Sequence, residues 1–293
     1  MRIMVQRVWL CWVEARPTVQ LIFLLRFLAG LVLSWGAGVA LGRAAVGMAG
    51  WLCATFAIYV YNGVADRVED VANGSRRPIA RGDLPDRFAT GAVLVGAMIG
   101  CLTAAWLGRW MFAAMIGYLL VGYAYSGPPF RFKQTYYAAS IGGGCLGLLT
   151  YLGGALCAGR PPSAAVLVFA VMMSLWMGGV GGIAKDLPDV KGDRAAGRRT
   201  WPVVFGERRA RQLLIVSALV VAVAFGLAAA AYSTKLLWCS TAVCLGAVVL
   251  MVVSAGAPRG EGTGRRMPYR VFMWTQYLSH TVLAGVVIGS LHP

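Results

Sequence analysis

The sequence predicts an all-α membrane protein with nine transmembrane helices, and three observations carry that prediction. The 293 residues are 59% hydrophobic and only 13% charged, with a mean hydropathy of +0.69, a balance that suits a bilayer rather than water. Nine apolar stretches approach the ~20 residues that a helix needs to cross hydrocarbon. They are 18–42, 46–64, 89–108, 110–126, 137–158, 163–185, 211–232, 235–255 and 271–290, read as one domain over residues 1–293. The charges fall almost entirely between these stretches.

Residues 1–17 carry Arg2, Arg7, Trp9, Trp12, Glu14 and Arg16 ahead of Pro17, a composition suited to lying in the interface before the first span. No cleavable leader is evident, because the first apolar run follows a polar start and lacks a clear cleavage site. Arg26 stands about eight residues into the first span. An intramembrane charge is a functional candidate by default, yet its long stem also allows it to snorkel to the headgroups. Both readings stay open.

The second span ends in NGVADRVED, residues 62–70. At ~100° per residue a helix brings Asn62, Asp66 and Asp70 onto one stripe over ~12 Å of axis. Such hard oxygen ligands suit Mg²⁺ that also takes phosphate oxygens; the plainer reading is the polar end of a helix leaving the bilayer. Arg67, Arg76, Arg77 and Arg81 follow closely, giving guanidinium donors beside metal ligands, a mixture that suits a diphosphate. Asp83 followed by Pro85 marks a helix start for the third span.

After the fourth span comes YSGPPFRFK, residues 125–133. Pro128 and Pro129 fix the backbone after Gly127 and present Arg131 and Lys133 as a clamp for an anionic leaving group, or else simply turn the chain. Glycines four apart, Gly143 with Gly147 and Gly178 with Gly182, read as positions of close helix packing. The sixth span ends in KDLPDVKGD, residues 185–193. A helical course puts Asp186, Asp189 and Asp193 on one side, although Pro188 and Gly192 predict a kink or stop. The Asp of the two clusters are five of the eleven acidic residues, and carboxylates so dense repel one another unless a cation lies between them. Tyr59, Tyr61, Tyr118, Tyr123 and Tyr125 gather near the same ends of the spans, as belt residues or as aromatic faces able to stabilise a cation.

Arg43, Arg109, Arg160 and Lys235 fall on one side and Arg26 within the first span, which leaves 22 of the 27 Lys and Arg on the other side with every acidic residue. The positive-inside rule makes that second side cytoplasmic, together with the N-terminus, and nine spans then leave Pro293 outside. The expected setting is a multi-pass protein of a bacterial plasma membrane. A net charge of +16 spread over short juxtamembrane loops argues for topology and anionic lipid, not nucleic acid. Seven cysteines include no CxxC, His280 and His292 are remote from the acids, and no GxSxG, P-loop or HExxH pattern occurs.

Taken together, the NxxxDxxxD of Asn62, Asp66 and Asp70, the RRP of residues 76–78, YSGPPFRFK and KDLPDVKGD resemble the UbiA superfamily of intramembrane prenyltransferases over nearly the whole chain. KDLPDVKGDR followed by Thr200 is most similar to the homogentisate and related aromatic branch. The resemblance implies nine helices around a central cavity that opens sideways to lipid, with cytoplasmic cap loops carrying the acids. It further implies two Mg²⁺ ions bridged by substrate diphosphate. Asn62, Asp66 and Asp70 would hold one ion, and Asp189 and Asp193 the other, with Asp186 a further candidate ligand. Asp66, Asp70, Asp189 and Asp193 are thereby the catalytic acids; Arg67, Arg77, Arg131, Lys133 and Lys185 are the diphosphate contacts. Many members carry Asp where this chain has Gly63, a departure that bears on the acceptor side rather than on the metals.

The implied reaction is Mg-dependent and dissociative: an allylic prenyl diphosphate ionises and an aromatic acceptor attacks the cation, in a cavity that must exclude water. The expected partners are a prenyl diphosphate, an aromatic small molecule and the bilayer, with no nucleic acid and no obligatory protein partner. One alternative is a terpene cyclase of the same superfamily, which needs no acceptor; another is a prenyltransferase of a lipid or porphyrin. A transporter or metal-binding scaffold is the non-enzymatic reading, against which stands the scarcity of midplane charge beyond Arg26.

Overall fold

A computed structural model describes residues 2–35, 39–72, 74–255 and 263–289. Among these the chain is helical: α1 (Arg2–Glu14), α2 (Pro17–Leu33), α3 (Leu41–Ala65), α4 (Arg67–Ala72), α5 (Asp86–Leu107), α6 (Arg109–Ser126), α7 (Tyr136–Cys157), α8 (Ala164–Leu175), α9 (Gly182–Ala184), α10 (Val190–Ala195), α11 (Trp201–Phe205), α12 (Glu207–Tyr232), α13 (Leu237–Ala255) and α14 (Met267–Gly289). Among the described residues seven helical runs are long and apolar enough to cross a membrane, and α1 with α2 passes the same test as a pair bent by 67°. The protein is therefore an integral, multi-pass membrane protein. The expected span 110–126 is occupied by α6, whose Arg109, three tyrosines and Ser126 dilute its hydropathy.

Local chemistry sets the ends. Arg16 takes a left-handed conformation (φ 57°) before Pro17 opens α2, because the residue preceding proline is driven out of the helical region. Gln20 Nε2 then donates to the freed Ala15 carbonyl at 3.0 Å. The first span was expected to run to residue 42, but α2 stops at Leu33 and Leu41 already belongs to α3. Apolar residues on both sides of a turn read as one run when hydropathy is the only guide. Along α1, Ile3, Val5, Val8, Trp9 and Trp12 are exposed while Glu14 is buried, the pattern of a helix lying on an interface.

Two apolar clusters form the body. One joins α7 and α8 to α12, α13 and α14 around Phe169, Trp176, Phe225 and Leu250; the other joins α2, α3, α5 and α6 around Phe23, Phe27, Trp51 and Met115. Lipid tails are as apolar as these side chains, so close packing rather than water exclusion decides the association. Small residues make that packing possible where α8 passes through a π-helical stretch, Trp176–Gly181, into α9. A Cβ on Gly178 or on Gly182 would come to 2.5 Å from Ser140, and one on Gly147 to 3.0 Å from Met177 Sδ. Gly143, expected to pack likewise, meets nothing within 4 Å and faces a cavity instead.

Candidate active site

The cavity, about 580 Å³, lies between the two clusters and is lined from both of them. Its charged end continues into a wider vestibule of about 1210 Å³, with Asp66, Asp189, Asp193 and Arg198 shared between the two spaces. Both acidic stretches therefore face one space although they are far apart in sequence.

The last turn of α3 places Asn62 on the cavity wall, its Nδ2 donating to Ser126 Oγ at 2.7 Å. Asp66 closes that turn through its amide on the Asn62 carbonyl (3.0 Å), and its own carbonyl accepts from the Asp70 amide (2.7 Å). The chain thus steps from α3 into α4 at Asp66 instead of continuing as a straight helix. As a result Asp66 is buried at the cavity, while Asp70 lines only the vestibule, where Arg77 Nη1 holds its Oδ2 at 2.9 Å. The single stripe expected of Asn62, Asp66 and Asp70 is broken at this step.

The second stretch is part turn, part helix, as Pro188 predicts. Asp186 is buried just after α9, Asp189 precedes α10, and Asp193 lies buried within α10. Gly197 then takes φ +69°, and the Arg198 amide returns to the Asp193 carbonyl at 2.8 Å, a helix end that needs a residue free to adopt positive φ. That reversal aims Arg198 back at the cavity. Its guanidinium pairs with Glu69, lies 3.6 Å from Asp193 Oδ1 and 4.0 Å from Asp66 Oδ1, so it links both clusters. Lys133 pairs with Asp66, and Lys185 Nζ lies 2.6 Å from Asp186 Oδ1. An isolated parallel bridge between Thr135 and Arg199 holds these segments together, with amide bonds Tyr136 to the Arg199 carbonyl (2.9 Å) and Arg199 to the Gln134 carbonyl (2.8 Å).

Burial, and then the neighbouring Asp186, pushes the Asp193 carboxyl above its ordinary range. Burial and the Arg198 charge pull the Lys133 ammonium down to about 7; contact with the Asp66 carboxylate opposes both. For Lys185 burial works against the ammonium, but Asp186 outweighs it and the pKa is raised.

Three expected diphosphate contacts lie elsewhere. Arg67 begins α4 on an exposed face and pairs with Asp86, its side chain 52% exposed. One residue after Asp66, it is turned ~100° from the cavity side. Arg131 is exposed and lines neither space. Arg77 sits behind Asn62, where its Nε meets the fully buried Glu14 at 2.7 Å and helps tie α1 to the first loop; the other Glu14 oxygen accepts from the Ile79 amide at 3.0 Å. Arg16, Arg198 and Arg266 line the cavity instead. The glycine before Arg198 was the one sequence signal for its return.

Bases stand beside three of the clustered carboxylates, Lys133 by Asp66, Lys185 by Asp186 and Arg198 by Asp193. Among the described residues no three acidic, His or Cys side chains stand together as a ready metal cage. In kind, however, the donors fit a hard divalent cation: they are all oxygen, all but Asp70 border the cavity, and Asp186 Oδ2 is buried without a hydrogen bond.

A family model described as the UbiA prenyltransferase family matches residues 23–275. Digeranylgeranylglyceryl phosphate synthase of Halobacterium salinarum is 34% identical over 79% of this chain and 82% of its own length. Chlorophyll synthase of Oryza sativa is 30% identical over 56% of this chain and 45% of its own length. For 2-acyl-4-prenylphloroglucinol 6-prenyltransferase of Humulus lupulus the figures are 30%, 50% and 38%. Among solved structures, a UbiA homologue from Archaeoglobus fulgidus bound to GPP and Mg²⁺ superposes with a TM-score of 0.76 at 21% identity, covering 95% of this chain and 99% of that one. This last likeness is one of fold.

Proposed function

The chain belongs to the UbiA prenyltransferase family, and from that premise we propose that it moves a prenyl group from an allylic prenyl diphosphate to an aromatic acceptor. It does so within a single nine-span domain of a bacterial plasma membrane, with the N-terminus and cap loops cytoplasmic. One observation carries the reading: both acid clusters border a single space that is charged at its mouth and walled inside by Ile22, Phe23, Ile58, Leu146, Met177 and Phe272. The mouth suits a diphosphate and the wall suits a prenyl chain.

The homologue structures that hold GPP or DMAPP with Mg²⁺ support a diphosphate donor and that metal. Asn62, Asp66 and Asp70 would hold one ion, and Asp189, Asp193 and Asp186 the second. Bound there, Mg²⁺ would neutralise charge growing on the leaving oxygens. The chain's own cations, Lys133, Lys185 and Arg198, stand beside these acids and supply hydrogen-bond donors to the same oxygens. When the C–O bond of the donor breaks, both electrons stay with the diphosphate oxygen and the allylic carbon is left cationic. Tyr59, Tyr125, Tyr269 and Phe272 line the space and offer it aromatic faces. A ring carbon of the acceptor attacks, and its proton leaves to a carboxylate at the mouth.

A second reading has its own observation: Arg76, Lys191, Arg265, Arg266 and Arg270 ring the vestibule, a setting for a phosphate-bearing lipid acceptor. The Halobacterium salinarum relative is named for a glyceryl phosphate. The test offers purified protein geranyl, farnesyl and geranylgeranyl diphosphates with Mg²⁺, with and without hydroxybenzoates, homogentisate and a glyceryl phosphate lipid, and reads products by mass spectrometry. A prenylated aromatic that forms only when donor and acceptor are both present is expected. Product from the glyceryl phosphate alone would establish the second reading. A cyclic hydrocarbon formed without any acceptor would overturn both.

A further inference from the structure

Arg26 takes no part in the chemistry described so far. It lies in α2, 2% exposed, on the cavity wall and roughly 15 Å further along the helix than Arg16. It does not snorkel: its guanidinium lies over the Phe23 ring, 4.7 Å from the centroid, and Nη2 donates to Gln276 Oε1 on α14. Nε and Nη1 are buried without a hydrogen bond of good geometry, and the neighbouring Tyr151 hydroxyl offers them a neutral oxygen rather than an anion. Among the described residues no carboxylate pairs with Arg26, whereas Asp66, Asp186 and Asp193 at the mouth have bases beside them. One turn further along α14, His280 places Nδ1 2.7 Å from the Gln276 backbone carbonyl oxygen and Nε2 2.9 Å from the Tyr151 hydroxyl. A guanidinium with idle N–H groups inside a bilayer is costly, and its cost is offset when a ligand brings the missing acceptor.

We propose that Arg26 and Gln276 form a subsite for an anionic oxygen of the acceptor, a carboxylate or a phosphate, and that filling it permits the donor to ionise. The inference rests on the prenyl-transfer reading. Ionisation leaves an allylic cation in the same low-dielectric space as the Arg26 charge, and like charges repel strongly there. An anionic oxygen on Nε and Nη1 satisfies both idle donors and removes that repulsion. Heterolysis of the donor's C–O bond thereby becomes coupled to the presence of the acceptor, so that prenyl cation is not lost to water.

The experiment uses the full-length protein in detergent with three probes: 4-hydroxybenzoate, its uncharged methyl ester, and an alkyl glyceryl phosphate. Binding is read by calorimetry, and diphosphate release is measured with and without each probe. In the wild type one anionic probe should bind at least tenfold more tightly than the ester, and which one it is identifies the source of the anion. Arg26→Gln should bring that ratio near one, Arg26→Lys should restore part of it, and the KM for the donor should move less than about threefold. Acceptor-free diphosphate release should rise several-fold in Arg26→Gln, with prenyl alcohol as product. Equal binding of acid, phosphate and ester in the wild type, or a preference that survives in Arg26→Gln, would overturn the proposal. So would a raised donor KM with the preference intact, which would move Arg26 to the donor side. Circular dichroism and gel filtration check folding, and if Arg26→Gln misfolds, Gln276→Leu carries the same comparison. Selective anion binding that Arg26→Gln abolishes, with no prenyl product from any acceptor, would sink the prenyl-transfer reading and leave the subsite standing. Prenyl transfer with an unchanged acid-to-ester ratio would do the reverse.

Discussion

Asp66 and Arg67 are neighbours in sequence with opposite fates, one buried against Lys133 at the cavity and the other paired with Asp86 on the surface. Replacing Asp66 or Asp193 by Ala should lower turnover by ~10²–10³, the usual cost of losing a charge contact at the developing oxyanion. Arg67→Ala and Arg131→Ala should stay within a few-fold of the wild type, and steady-state rates on folded protein decide between these outcomes. Equal losses in all four variants would mean that the exposed arginines reach the substrate after all. At this scale the acids were legible because residue type and spacing suffice to nominate ligands. Of the bases, Lys133 and Lys185 were named and stand beside the acids, whereas the outward turn of Arg67 and the return of Arg198 were not legible, because which face a side chain takes depends on a one-residue step at Asp66 and on the reversal at Gly197. Gly63 shows the same limit. Its departure from the family pattern has a packing reason, since a Cβ there would meet the Glu14 carboxylate and the Arg77 guanidinium, and Glu14 comes from an interfacial helix that no spacing rule connects to it.

The elements themselves were legible wherever an apolar run was bounded by charge, as for α5 and α12, and less so where one apolar run contains a turn, as between α2 and α3. Glycine spacing identified the α7 contact with α8 and α9 but did not separate the packing positions from the open one. Gly178→Val should prevent close approach, because the new Cβ would sit 2.5 Å from the Ser140 carbonyl oxygen and backbone cannot yield as a side chain can. Overpacking of this kind costs ~1–3 kcal/mol or more. Gly143→Ala should leave the folded protein intact while narrowing the cavity, so that shorter donors are favoured over longer ones. Thermal unfolding in detergent and product chain lengths read the pair; similar Tm losses in both variants would refute the distinction.

For the molecule as a whole, composition alone identified a membrane protein, since so little charge leaves no soluble alternative. That one cavity joins two distant acid clusters was expected from the family resemblance and not from spacing or hydropathy, because it depends on how the two apolar halves close around it. Orientation is open to a direct test. Reporters inserted near 130 and near 196 should be cytoplasmic and one near 161 external, as the uneven spread of Lys and Arg requires; 130 and 161 on the same side would refute it. The tail beyond residue 289 and the loop around Gly262, with the expected external C-terminus, lie outside the described residues. The bridge between Thr135 and Arg199 has a mechanical consequence. It stitches the strip of chain that bears Lys133 to the strip that bears Arg198, with two backbone bonds worth about 0.5–1.5 kcal/mol each. While these bonds hold, neither strip shifts without the other, so Lys133 and Arg198 are displaced as a pair.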